Sequence, residues 1–182
     1  MPDSGLVLIT GGCRSGKSEY AEKLAEELAG RVTYLATSVV GDEEFAVRVR
    51  KHQERRPAHW VTVEEPLEIE TVLKEGHEED VILIDSLSGW LTNLMYQDGF
   101  ENWQWDESKE KETLERVQRF VETAKRTNAR VLVVSDEVGF GLVPPYPEGR
   151  AFRDLNGKAN QIIAKAADKV FFVVAGIPME IK

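Results

Sequence analysis

Eight consecutive residues, Gly11-Gly12-Cys13-Arg14-Ser15-Gly16-Lys17-Ser18, have the types and spacing needed to hold a polyphosphate. They fit the phosphate-loop pattern G-x-x-x-x-G-K-[ST] at every fixed position. Gly11 and Gly16 allow the backbone to turn where a Cβ would clash, so that successive N–H groups point at phosphate oxygens. Lys17 brings a mobile cation to the β/γ-phosphates, and Ser18 offers a hydroxyl to Mg²⁺. A second chemical position is Asp85. It ends the aliphatic run Val81-Ile82-Leu83-Ile84, where an acid can act on Mg²⁺ directly or through water.

These residues need rigid supports. Leu6-Val7-Leu8-Ile9-Thr10 reads as a buried strand leading into the glycine turn. From Lys17, Tyr20, Ala21, Leu24, Ala25 and Leu28 recur at helical spacing, and Gly30 marks the stop. The phosphates would then lie at a helix N-terminus, on the positive end of its dipole. Further strands are expected at Val32–Ala36, Val61–Glu64, Val81–Asp85, Arg130–Ser135 and Lys169–Val174. Helices are expected from Asp42 to about Arg55, Pro66 to Lys74, Leu87 to Tyr96, Glu107 to Thr127, and about Ala151 to Ala167. Trp103 and Trp105 fall in a loop, to line a substrate or subunit contact or to cover a core edge. A long loop runs from Asp136 through Val143-Pro144-Pro145-Tyr146-Pro147. Strands alternating with helices define an α/β fold with a mostly parallel sheet, of the phosphate-loop NTPase type.

Composition narrows the class. The 182 residues are 42% hydrophobic and suit a single domain, 1–182, around one core. With 23 basic and 32 acidic residues the net charge is −9, which argues against a nucleic-acid binder. The single cysteine allows no internal disulfide and fits a reducing compartment. No segment has the length and apolarity of a membrane span, so a cytoplasmic protein is expected.

Beyond the phosphate loop, an ordered set of segments spans almost the whole chain: YLATS at 34–38, DEEFAVRVRKHQERRPAHW at 42–60, TVEEP at 62–66, IDSLSGWLTNL at 84–94, VSDEVGFGLVP at 134–144 and FRDLNGKANQIIAKAADKVFFVVAGIP at 152–178. With GGCRSGKS these resemble the bifunctional adenosylcobinamide kinase/adenosylcobinamide-phosphate guanylyltransferases of cobalamin biosynthesis. The resemblance implies two reactions. A nucleoside triphosphate, ATP or GTP, phosphorylates adenosylcobinamide; GMP from GTP is then transferred to that phosphate through a guanylylated histidine. It also implies Mg²⁺ with the nucleotides and a homotrimer.

By position, the histidine nucleophile is His52, ahead of Arg56-Pro57; His59 and His77 do not match. A neutral imidazole can attack the α-phosphorus and split one hard transfer into two. Arg48 and Arg55, at i−4 and i+3, can flank His52 on one helical face, either to steady phosphate charge or as a solvated basic face. Ala36, Thr37, Ser38, Gln53, Glu54, Arg55 and Arg56 match segments that contact GTP, and Asp85 matches the second strand acid. Glu64 matches the acid of a T-x-E segment and is the candidate for reading the guanine edge. One departure is visible: the family usually reads V-S-N-E-V-G, whereas this chain has Asp136 in place of Asn. Asn donates and accepts hydrogen bonds, while an ionised Asp only accepts.

Two other classes compete. A single-function phosphate-loop small-molecule kinase would need no covalent nucleotidyl-enzyme. A nucleotide-dependent switch would want an N-K-x-D guanine motif, and none occurs.

Overall fold

The computed structural model describes residues 5–28, 30–38, 56–77 and 80–182. The helix expected across 42–55, with Arg48, His52, Gln53, Glu54 and Arg55, lies outside the described residues. Seven strands form one sheet in the order β3-β2-β4-β5-β1-β6-β7. They are β1 (Gly5–Gly11), β2 (Val32–Ala36), β3 (Val61–Glu64), β4 (Val81–Asp85), β5 (Arg130–Asp136), β6 (Lys169–Val174) and β7 (Ile177–Glu180). All neighbouring pairs are parallel except β6 and β7. The helices are α1 (Lys17–Glu27), α2 (Ile69–Lys74), α3 (Leu87–Met95), α4 (Glu107–Arg126) and α5 (Pro147–Ala166).

Side chains along the central strands alternate between two buried layers, as a strand covered on both faces requires. Leu6, Leu8, Ile82, Ile84, Val131 and Val133 join one cluster, with Trp90 and Leu91 of α3, Phe120 of α4 and Leu155 of α5. Val7, Ile9, Val81, Leu83, Leu132 and Val134 join the other, with Ala21, Leu24 and Ala25 of α1. Trp103 and Trp105 pack against the first cluster and cover its edge.

Three elements differ from the sequence expectation. The helix expected from Pro66 begins at Ile69. The Glu65 carboxylate accepts the N–H groups of Leu67 and Glu68 at 2.9 and 2.8 Å, and this turn satisfies the backbone ahead of the helix. The helix expected from about Ala151 begins at Pro147. Proline suits a first turn, whose N–H groups have no helical partner, so the proline opens the helix rather than closing the loop. Strand β7 was not expected. It follows β6 through Ala175 and Gly176, with φ of 52° and 77°, a two-residue hairpin turn whose positive φ values match strand twist.

Candidate active site

The phosphate loop joins β1 to α1. A Cβ on Gly11 would lie 2.5 Å from the Val173 carbonyl oxygen of β6. Gly16 has φ of 91° and caps α1 with no side-chain bond, and a Cβ there would lie 3.0 Å from Gly176 Cα. Both positions exclude larger residues by contact with the β6–β7 hairpin, and at Gly16 the left-handed backbone does so as well. The hairpin also braces the loop directly: Gly176 N–H donates to the Ser15 carbonyl at 2.8 Å. Arg14 carries a positive φ of 56°. Cys13 is exposed. Ser18 lies in the first turn of α1, at the end of a helix whose dipole favours anions.

Parallel register brings the sequence-predicted acids to the same sheet edge. Ala36 aligns with Glu64 on one side and Asp85 on the other, while Gly11 aligns with Asp136. This is the carboxyl edge of the strands, where open α/β sheets bind ligands. His59 and His77 precede β3 and β4 and therefore lie at the opposite edge. His59 Nε2 is 3.8 Å from Glu26 of α1, and His77 N–H donates to Asp80 at 3.0 Å.

Lys17 Nζ pairs with Asp136 Oδ1 at 2.6 Å and donates to the Gly12 carbonyl at 3.3 Å. Asp136 is held by its backbone. Its N–H donates to Ser88 Oγ at 2.9 Å, and its carbonyl accepts from Asn156 and Asn160 of α5 at 2.7 and 3.0 Å. Ser88 Oγ donates to Asn156 Oδ1, and Ser135 Oγ to Asn160 Oδ1. Ser88, Ser135 and Asn156 are buried, so this is a satisfied polar network inside the core. Sequence reading missed it. Its signal was two amides, Asn156 and Asn160, four residues apart on one helix face.

Asp85 has its own partner. The Tyr34 hydroxyl donates to Asp85 Oδ2 at 2.7 Å, and the Arg56 guanidinium lies 3.3 Å from the centre of the Tyr34 ring. Burial, then the adjacent carboxylate, push the Tyr34 hydroxyl far above its ordinary pKa, with Arg56 opposing. It therefore stays protonated as a donor. Thr37 is fully buried; its hydroxyl donates to the Ser86 carbonyl at 2.7 Å and accepts from Ser86 N–H at 2.9 Å. Asn93 Nδ2 ties the Thr37 and Pro66 carbonyls together. Thr37 thus shapes the 36–38 turn, while Glu64 stands exposed at its own strand end.

The donor set suits a cation that arrives with phosphates. Ser18 and Asp85 are hard oxygen donors, and the Tyr34 bond occupies only one Asp85 oxygen. Among the described residues there is no group of three or more His, Cys, Asp or Glu side chains able to cage a metal. Mg²⁺ at phosphate sites takes few protein ligands and completes its shell with phosphate and water.

Sheet order, phosphate loop and carboxyl-edge acids define a phosphate-loop nucleotide-binding α/β protein. In fold, the chain resembles the P4 protein of bacteriophage phi6, solved in complex with ADP, at a TM-score of 0.51 and 14% identity. The match covers 97% of this chain and 54% of that longer one. Residues 7–181 match the family model described as cobinamide kinase / cobinamide phosphate guanyltransferase, and the chain belongs to that family. It is 40% identical over 181 residues to the bifunctional adenosylcobalamin biosynthesis protein CobU of Salmonella typhimurium, covering 97% of this chain and 99% of that protein. It is also 40% identical over 176 residues to the bifunctional adenosylcobalamin biosynthesis protein CobP of Pseudomonas aeruginosa, covering 96% of each. Among the described residues no helix is long and apolar enough to cross a membrane.

Proposed function

We propose how this chain carries out the two reactions of its family from one nucleotide edge. It is a bifunctional transferase of adenosylcobalamin biosynthesis, a cobinamide kinase and cobinamide phosphate guanylyltransferase. The observation that carries the reading is the alignment of the phosphate loop, Asp85 and Glu64 along the carboxyl edge of one sheet, in a chain related to bifunctional enzymes over nearly its full length.

In the kinase step the acceptor hydroxyl of adenosylcobinamide attacks the γ-phosphorus of ATP or GTP. The bond to the β–γ bridging oxygen breaks, the nucleoside diphosphate leaves, and the hydroxyl proton is lost. Gly11–Ser18 cradle the phosphates, and Lys17 neutralises charge on the transferring group. Ser18 and Asp85 would hold Mg²⁺, which would supply charge neutralisation to the phosphates.

In the second step the His52 imidazole attacks the α-phosphorus of GTP and pyrophosphate leaves. The cobinamide phosphate oxygen then attacks the same phosphorus, giving adenosyl-GDP-cobinamide and returning the imidazole. Ala36, Ser38, Gln53, Glu54, Arg55 and Arg56 contact GTP, the buried Thr37 holds the 36–38 turn that presents its neighbours, and Glu64 accepts from the guanine N1–H and N2–H₂ groups. The enzyme works as a cytoplasmic homotrimer.

The test is incubation with α-labelled GTP and Mg²⁺, with and without cobinamide, followed by mass analysis of products. Wild type should become labelled through an acid-labile, base-stable phosphoramidate and release pyrophosphate. His52→Ala should lose the label and GMP transfer while keeping kinase activity. Lys17→Ala should lose kinase activity by roughly 10²- to 10³-fold. Active kinase with no label in the wild type would leave a single-function kinase. Label persisting in His52→Ala would move the nucleophile to another residue.

A further inference from the structure

The P-loop lysine of this chain already has an anionic partner. Lys17 Nζ lies 2.6 Å from Asp136 Oδ1, and both side chains are largely shielded, at 12% and 34% exposure. The same ammonium is the group that must reach the β/γ-phosphates. A carboxylate and a triphosphate thus compete for one cation.

The two partners differ in freedom. Asp136 is fixed through its backbone N–H and carbonyl by Ser88, Asn156 and Asn160. The next residue is fixed too, since Glu137 N–H donates to the Gly11 carbonyl at 2.9 Å. Lys17 has a flexible stem and moves instead. When it leaves, the anchored carboxylate stays at the end of the strand paired with the phosphate-loop strand, Asp136 beside Gly11. A bare triphosphate would then meet like charge at short range in a partly shielded site. A triphosphate carrying a divalent cation has part of its charge cancelled.

We propose that Asp136 makes nucleotide capture depend on Mg²⁺: once Lys17 turns to the phosphates, the anchored Asp136 carboxylate repels a bare triphosphate more than one that carries the cation. Asp136 is a specificity-determining residue for the loaded nucleotide. The proposal rests on the reading that Lys17 binds nucleotide phosphate.

The test is direct binding of the non-hydrolysable β,γ-imido analogue of GTP, measured calorimetrically in Mg²⁺ and again in excess EDTA. None of the bonds that anchor residue 136 uses its side chain, so Asp136→Asn keeps the network, and a matching melting temperature checks this. Asp136→Asn should bind the Mg²⁺-free analogue roughly five- to tenfold more tightly than wild type, with the Mg²⁺-loaded affinity changed much less. The ratio of loaded to bare affinity should fall accordingly. In a Lys17→Ala background, the gain from Asp136→Asn on the bare analogue should persist, because the carboxylate is then no longer neutralised by the lysine. An unchanged ratio would overturn the proposal, as would equal weakening in both conditions. A gain that disappears without Lys17 would also overturn it, because the carboxylate would then act only by holding the lysine, which costs bare and loaded nucleotide alike. Lys17→Ala that binds the analogue as tightly as wild type would instead remove the phosphate-loop reading itself. Lys17-dependent binding with an unchanged ratio would leave that reading standing and sink only the role of Asp136.

Discussion

The Tyr34 hydroxyl donates a 2.7 Å hydrogen bond to Oδ2 of Asp85. Tyr34 is only 2% exposed, and its ring carries the Arg56 guanidinium on one face. The bond therefore orients the acid from inside the core. It also links Asp85 to Arg56, the residue that follows the expected His52 segment. Partners that orient a metal-site carboxylate typically matter by 10- to 100-fold in metal affinity or activity. Tyr34→Phe should lower kinase kcat about tenfold and raise the Mg²⁺ concentration for half-maximal rate. KM for the nucleotide should change little. Mg²⁺ titration of steady-state rates checks this; an unchanged Mg²⁺ requirement would leave the bond structural only.

Glu64 ends β3 at the same edge, level with Ala36 and Asp85. A carboxylate there can accept both N1–H and N2–H₂ of guanine, whereas an amide presents a donor to one of them. Glu64→Gln should cut the preference for GTP over ATP by roughly tenfold or more, as expected when a polar edge loses its match. Competition binding of the two nucleotides measures the ratio. A constant ratio would take Glu64 out of the base site.

Ser88 Oγ accepts the Asp136 N–H and donates to Asn156 Oδ1 within the core. Ser88→Ala would leave a buried donor and a buried acceptor without this partner. The expected loss is about 1–3 kcal/mol in urea unfolding, together with weaker nucleotide binding, because residue 136 loses an anchor. Wild-type stability in the variant would mean that water or a shifted side chain replaces the hydroxyl.

Asp80 ties the start of β4 to its surroundings. Burial alone would raise its pKa, but the His77 N–H, then the hydrogen bond and charge of Arg31, more than offset this and hold it below 3.8. A depressed folded pKa adds stability that is fully present above the unfolded value. That stability is lost as pH falls from about 3.8 through the lower folded value. Asp80→Asn should therefore be less stable than wild type at pH 7, and the gap should close progressively below pH 4. Thermal or urea unfolding across pH 7 to 2.5 gives the comparison. A gap independent of pH would assign the effect to packing.

Much of the fold is legible from local patterns. Val81-Ile82-Leu83-Ile84-Asp85 reads as a buried strand because four aliphatic residues in a row need cover on both faces, and β4 has it. The phosphate loop is legible because its glycines, lysine and serine answer to one ligand geometry within eight residues. Boundaries at Pro66 and Pro147 were misread because proline signals a turn or a helix start equally well. The deciding partner was a side chain in one case, Glu65, and helix continuation in the other.

By itself, the sequence determined the α/β class, the phosphate loop, the strand-ending acids and the family, since each is written in contiguous residues. Only the tertiary structure decided which groups meet. It placed Tyr34 against Asp85, the Gly176 turn against Ser15, Ser88 against Asn156, and Asp136 against Lys17. These pairs are separated by 51, 161, 68 and 119 positions along the chain, the differences between their residue numbers. Their contact follows from sheet order and register, which bring distant strand ends to one edge. Local propensity carries no record of that order, because it is set by how whole layers pack.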